Sequence, residues 1–322
     1  MSDFGPALTD DQWNRIRQIV HDEALRARVA ASFLPLYGPL PGDATTVPKD
    51  SLSYPAAASG AVPGQRIEVN DFDTIRLATV AVNVFIKNHM LADPELAAAA
   101  TMFTRAAKIV ARVEDAIVFR GQDPTASPPI PGTGADALPQ VFTVTPEAAT
   151  YEGLAKPDSN IVTIEPPSGT TMPSSLIPPP DWLGPAVFSA VVDAINKLEK
   201  GAYYKPYACV LSDALFRAIY TPIAGSMILP ADSIPPMLSG PLLRSSTLED
   251  GTGLVISLQG NPVEIVVASD IHVRYLQATE KGEHVFRVSQ RFALRVKDRT
   301  AIALIQKPST GGGPTIATPG NG

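Results

Sequence analysis

A single cysteine in 322 residues, Cys209, rules out an intramolecular disulfide and any thiolate cluster built within one chain. It lies in "YACVL", an apolar run that reads as a buried strand, so the thiol is expected to be a packing group. Histidine is nearly as scarce. His21, His89, His272 and His284 fall in unrelated elements, and no pair has the i, i+4 spacing of a helical zinc site, so solvent-facing side chains are expected. Basic runs are lacking: 26 Lys and Arg stand against 32 Asp and Glu, without a cationic block, and no nucleic-acid partner is expected. Long hydrophobic runs are lacking as well. "LATVAVNVFI" falls far short of the roughly 20 residues that a spanning helix needs, so no membrane partner is expected. "MSDFGPALTDDQW" has neither the basic nor the apolar region of a secretory signal, and a soluble, cytoplasmic chain is expected.

Catalytic patterns are also missing. "PGTGAD" and "PSGTTM" hold glycines but no strand-to-helix context with a lysine, and Gly-x-Ser-x-Gly does not occur. No catalytic, cofactor-binding or metal-ligating residue is therefore assigned, and no enzyme is expected.

What is present is architecture. "LTDDQWNRIRQIVHDEALRARV" predicts an amphipathic helix with Thr9 as N-cap, Gln12 at the capping-box position and a Trp13, Ile16, Ile19, Val20 stripe. Residues 39–74 read as an extended arm with little core of its own, and "TIRLATVAVNVFIK" as a long strand. Asp93-Pro94 opens a second helix that runs to Gly121, about 27 residues or roughly 40 Å. Within it, "RVEDAIVFRGQD" raises the question of an acid pair. Glu114 and Asp115 are adjacent and point about 100° apart, so they form no pair on one face and read as a solvated helix surface. Thirteen of the 32 prolines fall in 123–180, a loop-rich region with two short strand patterns, "QVFTVT" and "SNIVTIE". Its length marks it as a functional surface insertion rather than a connecting loop. Beyond it come a helix over 181–201, the strand "PYACVLS", a short helix capped by Ser212 or Asp213, a glycine- and proline-studded loop at 221–241, and a β-rich C-terminal third. The tail 308–322 carries no apolar pattern and is expected to be disordered. A spine helix and an arm that lack packing partners point to other copies of the same chain.

The chain resembles the encapsulin shell proteins, the linocin or bacteriocin-like family, on "LTDDQW", "RVEDAIVFRGQ", "VFRVSQRFALRVKDRTAIALI" and, more weakly, "PYACVLSDALFRAI". The resemblance implies the α+β tailed-phage major capsid fold, of the Hong Kong 97 type. It implies an N-terminal lumenal helix and arm over 1–39, an extended loop over 40–91, and a peripheral domain over 92–122 and 269–307. The proline-rich insertion at 123–180 and an axial domain over 181–268 complete the division. It further implies a homo-oligomer, an icosahedral nanocompartment of sixty subunits or more, enclosing a cargo enzyme through that enzyme's C-terminal targeting peptide. Dye-decolorising peroxidases, ferritin-like proteins and other redox or iron-handling enzymes are the family's cargos. The stretch that would take the peptide is "RVAASFLPLYGP", with Ala31 and Pro35 at positions usually charged. A hydrophobic peptide docked on Ile16, Val20, Ala31, Phe33, Leu34 and Leu36 is expected. The loop 223–232 would line a fivefold pore through Ser226, Met227, Ile228, Leu229, Pro230 and Asp232, with Asp232 the only charge and selection mainly by size. Two alternatives stand: a phage or prophage major capsid protein, and a bacteriocin-like antibacterial protein. An ordered helix almost at Met1 weighs against the first, and the lack of a catalytic cluster or export signal against the second.

Overall fold

The computed structural model describes residues 8–53, 67–130, 138–139, 141–156, 160–170, 173, 175–176, 179–222 and 228–308. Helix α1 (Asp10–Ala27) starts on a complete capping box, with Thr9 Oγ1 accepting from Gln12 N and Gln12 Oε1 accepting from Thr9 N. Its residues at a spacing of four, Ile16, Val20 and Ala24, are buried. The chain then passes a 3-10 turn at Ala30–Ser32 and the two-residue strand β1 (Leu36–Tyr37).

The arm follows as two short antiparallel ladders. Strand β2 (Thr46–Pro48) pairs with β5 (Thr74–Arg76), and β3 (Ser51–Ser53) with β4 (Glu68–Asn70). A small apolar cluster around Val47 and Leu77 helps to anchor it, packed on Val266, Ala268 and Ala293. Strand β6 (Ala78–Lys87) and the single turn α2 (Asn88–Leu91) lead to the spine, α3 (Ala97–Arg120).

The spine begins three residues later than Pro94 would place it. Asp93 does bind the first donors, accepting from Glu95 N at 3.0 Å and Ala97 N at 3.1 Å. Those bonds close a separate turn in which Leu96 takes φ +50, so the helix has 24 residues. It stops where expected. Gly121 has φ +79, and a Cβ there would lie 2.2 Å from the carbonyl oxygen of Tyr151, so only glycine fits.

The proline-rich region supplies edges to the rest of the fold. Strand β7 (Gly121–Gln122) pairs with β9 (Tyr151–Glu152), while β8 (Phe142–Thr145) and β10 (Ile161–Thr163) join separate sheets. Next come α4 (Leu183–Lys200), β11 (Tyr207–Ser212), α5 (Asp213–Ile219), α6 (Pro230–Ser233) and α7 (Pro235–Leu238). The remainder is β12 (Leu242–Ser245), β13 (Thr252–Ser257), the long hairpin β14 (Val263–Ala278) and β15 (Glu283–Val296), and β16 (Ile302–Gln306).

Two five-stranded sheets result, ordered β1-β14-β15-β6-β8 and β10-β16-β13-β11-β12. The first is covered by α1 and α3. Phe103 meets Phe286 edge-on at 5.4 Å between ring centres, and Trp13 closes the cluster at 5.8 Å. The second is covered by α4 and α5, with Val187, Val191 and Leu198 packed against Tyr207, Cys209 and Ile305. The expected cut between 181–268 and 269–307 does not follow the sheets. Residues 263–267 already pair with β15, and β16 leaves its neighbour in sequence to lie antiparallel to β13 in the other sheet.

Candidate functional site

The acid pair of the spine helix is not solvated. Glu114 is 1% exposed and Asp115 2%, which corrects the reading of a solvent-facing surface. The two do diverge around the helix, and each finds its own partner on the segment that leaves α1. Asp115 Oδ1 accepts from Ala30 N at 2.8 Å, and Oδ2 from Val29 N at 2.9 Å. Its carboxylate thus caps the 3-10 turn at Ala30–Ser32, whose own N-cap residue supplies no side-chain bond. Glu114 Oε2 lies 2.7 Å from Arg28 Nε, and Arg28 Nη2 reaches Asp270 Oδ1 on β14 at 2.8 Å.

One guanidinium therefore faces three carboxylates. Burial pushes Asp115 up to about 7, with Glu114 adding to the rise and the backbone donors opposing it. Burial likewise raises Glu114 against the pull of Arg28. Asp270, half-exposed, ends below its ordinary value because Arg28 and the Ile271 N–H outweigh its partial burial.

This anchor fixes the segment expected to take a peptide, and the six expected residues separate. Ile16, Val20 and Leu34 are 1%, 1% and 3% exposed, sealed into the core beneath α3 and unable to offer a surface. Ala31 and Phe33 are half-buried against that core, and Leu36 is exposed. Tyr37 and Leu25, both exposed, were not anticipated. The Arg295 guanidinium stacks 4.6 Å from the Tyr37 ring centre. Arg295 also binds Glu264 and, at 2.6 Å, Asp50, while Lys297 meets Glu264 at 2.9 Å, so one buried network ties β1 and the root of the arm to the hairpin.

Farther along, the arm presents exposed apolar side chains: Phe72 is 92% exposed, Ile67 67% and Val69 55%. In the loop expected to line a pore, Ser226 and Met227 lie outside the described residues. Ile228 and Asp232 are exposed and Leu229 is half-buried, but Pro230 is packed at the start of α6, which removes it from any lining role. Arg120 pairs with Glu249 of the same chain at 3.6 Å. His21 and His89 are exposed, but His272 and His284 are half-buried, His272 Nδ1 meeting Ser269 Oγ at 3.0 Å. The Cys209 thiol is buried and pushed up to about 12, which keeps it unreactive. No described helix is long and apolar enough to cross a membrane, and no group of three His, Cys, Asp or Glu that could hold a metal occurs among the described residues.

The family profile Linocin_M18, described as encapsulating protein for peroxidase, matches residues 4–132 and 179–293 and leaves most of the proline-rich region out. The type 1 encapsulin shell protein EncA of Myxococcus xanthus is 25% identical over 313 residues, 93% of either chain. A diheme-cytochrome-encapsulin shell fusion protein of Kuenenia stuttgartiensis is 23% identical, over 93% of this chain and 74% of that protein. In fold, the chain is similar to the virus-like particle of Pyrococcus furiosus, with a TM-score of 0.62, 11% identity, and 91% and 99% of the two chains covered. The holo-SrpI encapsulin complex of Synechococcus elongatus gives a TM-score of 0.52 at 12% identity, with 95% and 91% covered. The capsid of the myovirus XM1 gives 0.53 at 14%, with 86% and 91% covered.

Proposed function

This chain belongs to the Linocin_M18 family of encapsulin shell proteins, and from that premise we propose how its surfaces build and load a shell. The chain is a structural subunit of a nanocompartment with the tailed-phage capsid fold, and its family is one of shells rather than enzymes. The shell closes with icosahedral symmetry from sixty or more copies in the cytoplasm. Residues 40–91 form the extended loop that packs on a neighbouring subunit. The sheet carrying the spine forms the peripheral domain and the other the axial domain.

The observation that carries this reading is the exposure of Phe72, Ile67 and Val69 on an arm with almost no core of its own. Such a surface is costly in a lone subunit and is covered when a second copy docks, since obligate interfaces commonly bury about 2,000 Å² or more. Cargo binds through a C-terminal peptide on Ala31, Phe33 and Leu36, extended by Tyr37 and Leu25. Redox or iron-handling enzymes are the cargo class, in keeping with a relative that joins its shell to a diheme cytochrome. The loop 223–232 lines a pore, with Ile228 and Asp232 as its described exposed residues. Negative-stain electron microscopy of the chain expressed alone tests the shell reading: uniform hollow spheres are the expected result, and a monomer or dimer would overturn it.

A further inference from the structure

The cluster beneath the peptide-binding segment holds more negative charge than its surroundings can neutralise. Glu114 and Asp115 are both buried, Asp270 is half-buried, and Arg28 is the one cation that bridges the three elements. Full ionisation would leave a net charge of about −2 in a water-poor volume, an arrangement that favours uptake of a proton. Arg28 Nε at 2.7 Å from Glu114 Oε2, together with the Gln290 side chain, favours the charged form of Glu114, but burial outweighs both.

The neighbours do not remove the imbalance. From α1, His21 acts weakly on Asp270, and Glu23 is turned toward Lys108 at 3.3 Å. From β15, Gln290 lies against Glu114 and brings no charge. From β14, His272 is engaged with the Asp270 carbonyl at 2.9 Å and with Ser269. What faces Asp115 is Glu114, Arg28 and the backbone donors of Val29 and Ala30.

We propose that Glu114 and Asp115 are positioning residues for the 29–37 segment, sharing one proton while the segment is seated and loosening it when that proton is lost. The proposal rests on the reading of 29–37 as the cargo seat. The carboxyl groups touch no cargo; they act through the backbone of Val29 and Ala30, from which Phe33, Leu36 and Tyr37 are suspended. The direction of the effect follows from the raised value of Asp115. A carboxyl whose folded value exceeds its unfolded one contributes stability that is full below the unfolded value and is lost as pH rises through the folded value, here about 7.

Hydrogen exchange on empty assembled shells, from pH 5 to 9 and corrected for intrinsic rates, reads the anchor directly. Protection of the Val29 and Ala30 amides is expected to fall by up to about tenfold per pH unit as pH rises toward about 7, and to level off above it, where Asp115 is ionised in the seated and the loosened segment alike. In Asp115→Asn shells the fall should vanish. Protection in the wild type that is flat below the levelling point, or an unchanged slope in the variant, would overturn the proposal. Asp270→Asn, at a half-exposed position, provides a milder second variant: removing one negative charge should move the levelling point to lower pH, and an unmoved point would break the claim that the four groups act together. A levelling point that moves while native cargo stays bound equally at pH 5 and 8 would leave the anchor standing and remove the cargo-seat reading alone.

Discussion

Asp115 Oδ1 accepts the Ala30 amide at 2.8 Å across 85 residues of sequence, so one side chain of the spine helix decides where the segment after α1 goes. Asp115→Ala would leave two buried donors without a partner. A loss of about 1–3 kcal/mol is expected, read as a lower urea midpoint, with Asp115→Asn between alanine and wild type. A wild-type midpoint in the alanine variant would show that water or a shifted turn replaces the cap.

Arg28 is the next lever. Arg28→Met leaves Glu114 buried without a counter-charge, and removal of one partner of a buried pair costs about 3–5 kcal/mol. Adding Glu114→Gln to that variant should recover much of the loss, because the uncompensated charge goes with it. Additive losses in the double variant would show that the pair is not coupled.

Phe72 separates folding from assembly. Phe72→Asp places a charge on a side chain 92% exposed in the subunit, so circular dichroism should be unchanged while size exclusion shifts from shells to small species. Shells of normal yield would place the neighbour's contact elsewhere on the arm.

The peptide surface is open to a similar division. Leu36→Asp and Tyr37→Ala alter exposed positions of β1, so shells should assemble normally while cargo co-purification falls at least severalfold. The tyrosine variant also strips the apolar cover from Arg295 and should lower the melting temperature slightly. Undiminished cargo in both variants would rule out this surface.

Glu152 sets a limit at acid pH. Hydrogen bonding from Lys156 at 2.7 Å, then Arg299 at 2.9 Å, with Lys49 nearby, lowers it to about 2 despite partial burial. A carboxylate lowered in the folded state gives stability that is present above its unfolded value and lost as pH falls through the folded one. Wild type should therefore lose stability faster between pH 5 and 2 than Glu152→Gln does, and parallel acid titrations would discount the cluster.

Elements set by local chemistry were legible in the chain. Thr9 with Gln12 announces α1, Gly121 ends the spine, and the alternation in "FTVT" marks β8 inside a proline-rich stretch. Long-range pairing was not. Glu114 and Asp115 read as a wet helix face because charge on a helix is normally solvated, and nothing nearby discloses that Arg28 and two backbone donors wait some 85 residues upstream. Ile16 and Val20 were rightly seen as one apolar stripe, but their own chain covers that stripe before any peptide reaches it. Tyr37 was passed over because its exposure follows from β1 lying at a sheet edge, a fact of topology.

The place of β16 ties the two sheets to each other. It follows β15 of one sheet after only a short connection, yet it lies between β10 and β13 of the other. The sheets therefore cannot part without drawing β16 out of both its ladders. The spine-bearing half and its partner are leashed by the chain itself, and a pull on one is carried to the other through the middle of its sheet.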